Sequence, residues 1–212
     1  ILKEKIKMKI NTSCPVLVTG ATGYIAGWVV KNLLDKGITV HAPIRNLSNK
    51  GKRAHLDELA ENSSGQIKYF ESDLLIENSY KKAMEGCELV IHTASPFVMD
   101  SKDPQKEVID PALIGTQNVL EWCRTNSTKV VYSGSSSKHH DPYQSPYALY
   151  KYLGEEICKM YRQVYKMDVE IARFYNVYGP KEIIDGDWAA VIGIWRRQIR
   201  DGKGITIVGD GE

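Results

Sequence analysis

The chain has 212 residues, of which 42% are hydrophobic and 25% charged, with a formal net charge of +2. That length fits one domain or two small ones, and the composition excludes a disordered or collagen-like chain. The charge is too small to point to a nucleic-acid partner or a membrane surface, and no apolar run approaches the ~18 residues of a membrane span or forms a signal-peptide core.

Cys14, Cys87, Cys123 and Cys158 are far apart and form no CxxC pair. This is the pattern of reduced thiols in an intracellular protein, so a cytoplasmic location is expected. Residues 1–11 carry Lys3, Lys5, Lys7 and Lys9 and read as a tail or an appended segment, with Met8 as a candidate start.

Apolar β-branched runs then alternate with helical patterns. Residues 15–19 (PVLVT) read as a strand buried on both faces. Residues 24–36 read as a helix, with Ile25, Val29 and Leu33 recurring at i+4 and Gly37 placed as its C-cap. Further strands are expected over 38–44, 66–70, 89–92, 129–132 and 169–174, and the clearest further helices over 113–124, 146–165 and 188–200. Strands separated by helices imply βαβ units: an α/β fold with a parallel sheet covered on both faces. The expected division is a nucleotide-binding domain over 12–178 and the start of a truncated substrate-binding region over 179–212.

The loop VTGATGYIAGW joins the first strand to the first helix. Gly20 and Gly23 keep the spacing of a dinucleotide fingerprint, with Ala26 at its third position. Gly20 serves the tight turn and Gly23 the close approach of a pyrophosphate. Ala26 serves helix–strand packing, and the helix N-terminus faces the phosphates. An acid about 20 residues on would bind the ribose of NAD, and an arginine there the 2′-phosphate of NADP. The second strand ends at Ile44 and is followed by Arg45, with Lys50, Lys52 and Arg53 in the same loop. NADP(H) is therefore expected, with Arg45 as the main contact and Lys50 or Lys52 as its helper.

Tyr147 and Lys151 stand four apart in SPYALYK. Ser145 and Pro146 are the N-cap and first residue of a helix, so both side chains share one face. A lysine beside a phenol is expected to lower the tyrosine pKa towards neutrality, giving a usable acid or base. With 12 tyrosines and 20 lysines among 212 residues, chance alone supplies about one such pair. Its weight comes from its place after the fifth strand and the serine run SGSSS. Ser135 is the choice for binding a substrate oxygen, with Ser133 and Ser136 as alternatives. The adjacent His139 and His140 would not readily share one metal, and no metal site is expected.

With TGATGYIAG, SDL, HTASP, GTQNVLEWC, SGSSS…YALYK and RFYNVYGP in this order, the chain resembles an extended short-chain dehydrogenase/reductase of the NAD-dependent epimerase/dehydratase superfamily. The resemblance implies a Rossmann-type doubly wound sheet and hydride exchange with nicotinamide. It also implies that Thr22, Tyr24 and Ile25 of the glycine loop contact the cofactor, and that Asp73 and Leu74 flank the adenine. Thr93 and Ala94 would line the cofactor's centre, Lys151 would bind the nicotinamide ribose, and Tyr175 would lie beside the nicotinamide. A homodimer through a helix bundle is a further implication. Residues 12–125 resemble dihydroflavonol-reductase-like carbonyl reductases. Residues 130–212 resemble sugar-nucleotide epimerases and dehydratases, in which Asn176 would contact the substrate pyrophosphate.

Three readings follow. The leading one is an NADP(H)-dependent oxidoreductase acting on a small carbonyl/alcohol substrate through Ser135, Tyr147 and Lys151. The second is an NAD-dependent epimerase or dehydratase of sugar nucleotides, and the third a non-catalytic cofactor-binding module.

Overall fold

The computed structural model describes residues 8–95, 102–139, 141–186, 189–207 and 209–210, with the side chains of Lys138 and Gln144 left aside. It divides into two compact units, Ile1–Arg173 and Phe174–Glu212.

The first unit is built in chain order from β1 (Val16–Thr19), α1 (Tyr24–Asp35), β2 (Thr39–Ile44), α2 (Lys50–Glu61), β3 (Gln66–Glu71), α3 (Lys81–Met84) and β4 (Leu89–His92). A π-turn (Gln105–Ile109) then runs directly into α4 (Asp110–Thr125), followed by β5 (Lys129–Ser135), α5 (Pro146–Val164) and β6 (Val169–Phe174). The strand order is β3-β2-β1-β4-β5-β6, and the paired registers are parallel, for example Val16 with Leu89 and Leu89 with Lys129. The chain reverses its winding between β1 and β4, the crevice where open α/β sheets bind ligands.

Side-chain alternation on the strands divides the core into two layers. Val16 and Val18 pack with Val30, Leu34 and Leu56 on the face covered by α1 and α2. Leu17 packs with Met84, Leu120, Cys123 and Tyr161 on the face covered by α3, α4 and α5. Leu17, Leu34, Leu56 and Leu120 are at most 1% exposed, each contributing about 1.5–3 kcal/mol of burial free energy.

The predicted strands and principal helices are present, and two local readings change. Lys50, Lys52 and Arg53 belong to a helix rather than a loop, because the Asn49 side chain accepts the Lys52 N–H at 3.2 Å and caps α2. β5 continues past Tyr132 to Ser135, so Ser133 and Ser135 are strand residues. On α5, Tyr161 is buried in the core and Ile157 packs against it. Trp188, His140, Pro96 and Phe97 lie outside the described residues.

In the second unit, α6 (Val191–Arg200) is held to the segment after it. Trp195 Nε1 donates to the Thr206 carbonyl at 2.8 Å, and the Thr206 N–H donates to Gln198 Oε1 at 3.0 Å. Among the described residues, no helix is long and apolar enough to cross a membrane.

Candidate active site

The site grows from the ends of β1 and β4. The Thr19 hydroxyl accepts the N–H groups of Thr93 and Ala94 at 3.1 and 3.0 Å, and lies 2.8 Å from His92 Nδ1. With two donors already received, that hydroxyl gives its own proton to Nδ1. His92 Nε2 faces Thr116 Oγ1 at 3.2 Å, and Thr116 donates to the Ala112 carbonyl. The ring is therefore the neutral Nε2–H tautomer. Burial, aided by the charge of Lys151, pulls the His92 pKa down to about 3. This network draws the loop after β4 against the glycine loop. Gly20 has φ +65°, and a Cβ there would stand 2.9 Å from Ala94 Cα.

The histidine network has a pH signature. The unfolded chain protonates His92 below about pH 6.5, while the folded ring stays neutral. Its contribution is thus complete above that pH and is lost as pH falls towards 3. Unfolding free energy should drop by about 1 kcal/mol per pH unit between pH 6 and 5 from this residue. His41, also shifted down by burial, adds in the same direction. Urea melts across that window check it, and His92→Gln should flatten the slope.

Beside these loops lies a cavity of about 700 Å³. Gly20, Thr22, Arg45, Asp73, Leu74 and Ala94, all expected at the site, line it. Lys52 and Arg53 line it too, and Lys50 is not among the lining residues. Helical geometry explains the choice: residues 50 and 52 point about 200° apart, so one turn cannot aim both at the same cavity. Arg53 is held over the Tyr69 ring, 4.6 Å from its centroid, and Tyr69 Oη donates to Asp57 at 2.6 Å. Asp73 Oδ1 accepts the Leu75 N–H at 2.9 Å, which shapes the turn at the cavity's edge. Sequence reasoning missed Tyr80 and the π-turn residues Lys106 and Glu107, which also line the cavity. A π-turn running into a helix leaves little trace in hydrophobic periodicity.

The remaining expected contacts sit elsewhere. Gly23 is the N-cap of α1 and carries no side-chain cap, so the first-turn N–H groups of the helix face outward. The Tyr24 hydroxyl is buried without a hydrogen-bond partner among the described residues, and Ile25 is half-buried in the same turn. Thr93 spends its hydroxyl on the Thr19 carbonyl, 2.5 Å away. Tyr175 and Asn176 belong to the second unit and are exposed.

The Tyr147–Lys151 pair lies on the first turns of α5. Ser145 and Pro146 occupy its N-cap and first position. Lys151 is 7% exposed; its Nζ donates to the Ser133 carbonyl at 2.8 Å and lies over the Tyr132 ring. Burial pulls its pKa down to about 8, against the opposing pull of Glu155 and Cys158. The Ser135 hydroxyl hydrogen-bonds Tyr147, while Ser133 contributes its carbonyl. Burial of the phenol outweighs that bond and raises the Tyr147 pKa above its usual value. The lowering expected from the sequence therefore does not occur here, because desolvation penalises the phenolate. Among the described residues, no cluster of His, Cys, Asp or Glu could hold a metal ion.

A family model described as NAD dependent epimerase/dehydratase matches residues 16–212. The chain is similar to a cinnamoyl-CoA reductase of Medicago truncatula, 47% identical over 127 residues, which is 59% of this chain and 39% of that protein. It is similar to tetraketide alpha-pyrone reductase 1 of Arabidopsis thaliana, 36% identical over 163 residues, 74% of this chain and 50% of that protein. The chain thus spans 39% to 50% of the length of these relatives. Among solved structures, a UDP-N-acetylglucosamine 4-epimerase from Methanobrevibacter ruminantium aligns with TM-score 0.72 and 27% identity, over 97% of this chain and 67% of that one. A UDP-glucuronic acid 4-epimerase from Bacillus cereus, in complex with NAD, aligns with TM-score 0.70 and 26% identity, over 93% of this chain and 66% of that one. With this fold, this glycine loop and a match running from β1 to the last residue, the chain belongs to the NAD dependent epimerase/dehydratase family.

Proposed function

We propose that the chain forms the nucleotide-binding and acid–base part of an NADP(H)-dependent carbonyl reductase. The carrying observation is the cavity rim at the end of β2, where Arg45 and Lys52 stand with Asn46 and Asn49, while the lining carboxylates Asp73 and Glu107 come from the loop after β3 and the turn before α4. A guanidinium and an ammonium suit a 2′-phosphate, which a carboxylate would repel. A dinucleotide fits the rest of the site. Gly20 keeps the turn free of a side chain, the uncapped start of α1 offers N–H groups to a pyrophosphate, and Tyr24 has an unused buried hydroxyl. Asp73 and Leu74 would border the adenine.

The nicotinamide, when bound, supplies or accepts the hydride. The chain's own residues handle the substrate oxygen. Tyr147 gives it a proton, Ser135 hydrogen-bonds it as negative charge develops, and Lys151 places a positive charge nearby.

Thermal melting with NADPH, NADH and neither tests the reading. A ligand at a hundred times its dissociation constant stabilises the folded state by about 2.7 kcal/mol. The shift should be larger with NADPH, and Arg45→Glu should cancel the difference. A larger NADH shift in the unaltered chain would overturn the NADP(H) assignment.

The second reading is an NAD-dependent sugar-nucleotide epimerase or dehydratase. It is favoured by the two solved 4-epimerases, which align with 93% and 97% of the chain. In that case the same trio would serve transient oxidation of a sugar hydroxyl, with Asn176 on the pyrophosphate, and the NADH shift would be the larger one. No shift with either cofactor would favour a non-catalytic module.

A further inference from the structure

We propose that Glu155, braced by Arg173, is a positioning residue that sets the spacing and charge of the Tyr147–Lys151 pair. The proposal rests on the acid–base reading above. Glu155 lies one turn after Lys151 on α5 and is 1% exposed. Arg173 on β6 donates Nε to its two oxygens at 3.1 and 3.0 Å, and Nη2 stands 2.9 Å from Oε2. The carboxylate occupies the space that a side chain on Gly134 would fill. Gly134 is the strand residue between the two that touch the pair: the Ser133 carbonyl accepts Lys151, and the Ser135 hydroxyl meets Tyr147. One residue before Glu155, a Cβ on Gly154 would overlap the Tyr132 hydroxyl. Helix and strand therefore approach with glycine on each side, and the Glu155–Arg173 pair ties this approach to β6.

Stability does not explain such a pair. Glu155 is taken out of water while Arg173 stays exposed, so the ion pair does little more than offset the desolvation of the carboxylate, and a packed apolar side chain would hold the elements as well. What an apolar pair could not supply is a negative charge beside a buried ammonium. The groups that face Lys151 are Glu155 and Cys158 on its own helix, Tyr132 on β5, and neutral His92 on β4. Glu155 is the carboxylate in this set, and its charge opposes the pull of burial on the Lys151 proton.

The test uses the cofactor-free protein. NMR of 13Cε-labelled lysine follows the Lys151 titration, whose midpoint should be near 8 in the unaltered chain. Glu155→Gln keeps the side-chain size and removes the charge. It should lower the midpoint by about one unit and move the alkaline fall in kcat down by the same interval, a loss that reaches tenfold only where the pH is well above both midpoints. A purely structural Glu155 would lower the melting temperature and leave the midpoint in place, which would overturn the proposal. If Glu155→Gln does not fold, the double variant Glu155→Met/Arg173→Met decides. It should melt near the unaltered chain with the midpoint still lowered, and an unchanged midpoint there also overturns the proposal. A lowered midpoint in a protein that turns over neither carbonyls nor sugar nucleotides would leave the positioning role standing and reject the reductase reading.

Discussion

Tyr147→Phe is expected to cut carbonyl reduction by about a hundredfold to ten-thousandfold, the usual range for losing a positioned acid. The ring remains, so the packing of α5 should be kept. The hydroxyl that meets Ser135 is lost. Cofactor-induced melting shifts should therefore match those of the unaltered chain, because the cavity residues are untouched. The rate profile of the unaltered chain carries its own sign. Burial keeps Tyr147 protonated beyond its ordinary range, so the acid is present throughout neutral pH. Lys151 loses its proton near pH 8, and reduction should fall as pH rises through that value. Full activity in Tyr147→Phe, with cofactor binding intact, would reject the acid–base assignment.

The parts of this site that could be read from the sequence are those encoded locally. Alternating apolar runs and helical stripes place the strands, and Ser145-Pro146 fixes where α5 begins and hence the shared face of Tyr147 and Lys151. The missed parts depend on residues far apart in the chain. Thr19 and His92 meet across 73 positions and need β1 beside β4 before their hydrogen bond has meaning. The aim of Lys52, and not Lys50, into the cavity needs the phase of a helix whose first turn contains Gly51, a poor helix former. The titration of Tyr147 needs its burial, which motif spacing does not report. The mixed resemblance of the two halves also has a physical counterpart. The family match runs through both, over residues 16–212, on one continuous sheet.

Gly20→Ala is expected to destabilise the chain by about 2–5 kcal/mol, measured by urea unfolding. The backbone there has φ +65°, a conformation that costs an L-residue ~1–2 kcal/mol. The added methyl would stand 2.9 Å from Ala94 Cα, and overpacking against backbone adds roughly 1–3 kcal/mol. Ala94 cannot readily retreat, since its N–H is held by the Thr19 hydroxyl at 3.0 Å and Thr19 is itself held by His92. Relief would have to come from the glycine loop, which would shift the start of α1. The melting response to NADPH should fall with it. Gly23→Ala is the matched control. Gly23 has φ −79°, and its added Cβ would meet the Gly20 carbonyl oxygen at 3.2 Å, a contact that a small adjustment relieves. Its stability loss should stay under about 1 kcal/mol. It too should weaken the NADPH response if the dinucleotide lies across the start of α1. Equal stability losses in the two variants would contradict the conformation of the loop, and an intact NADPH response in both would place the nucleotide elsewhere.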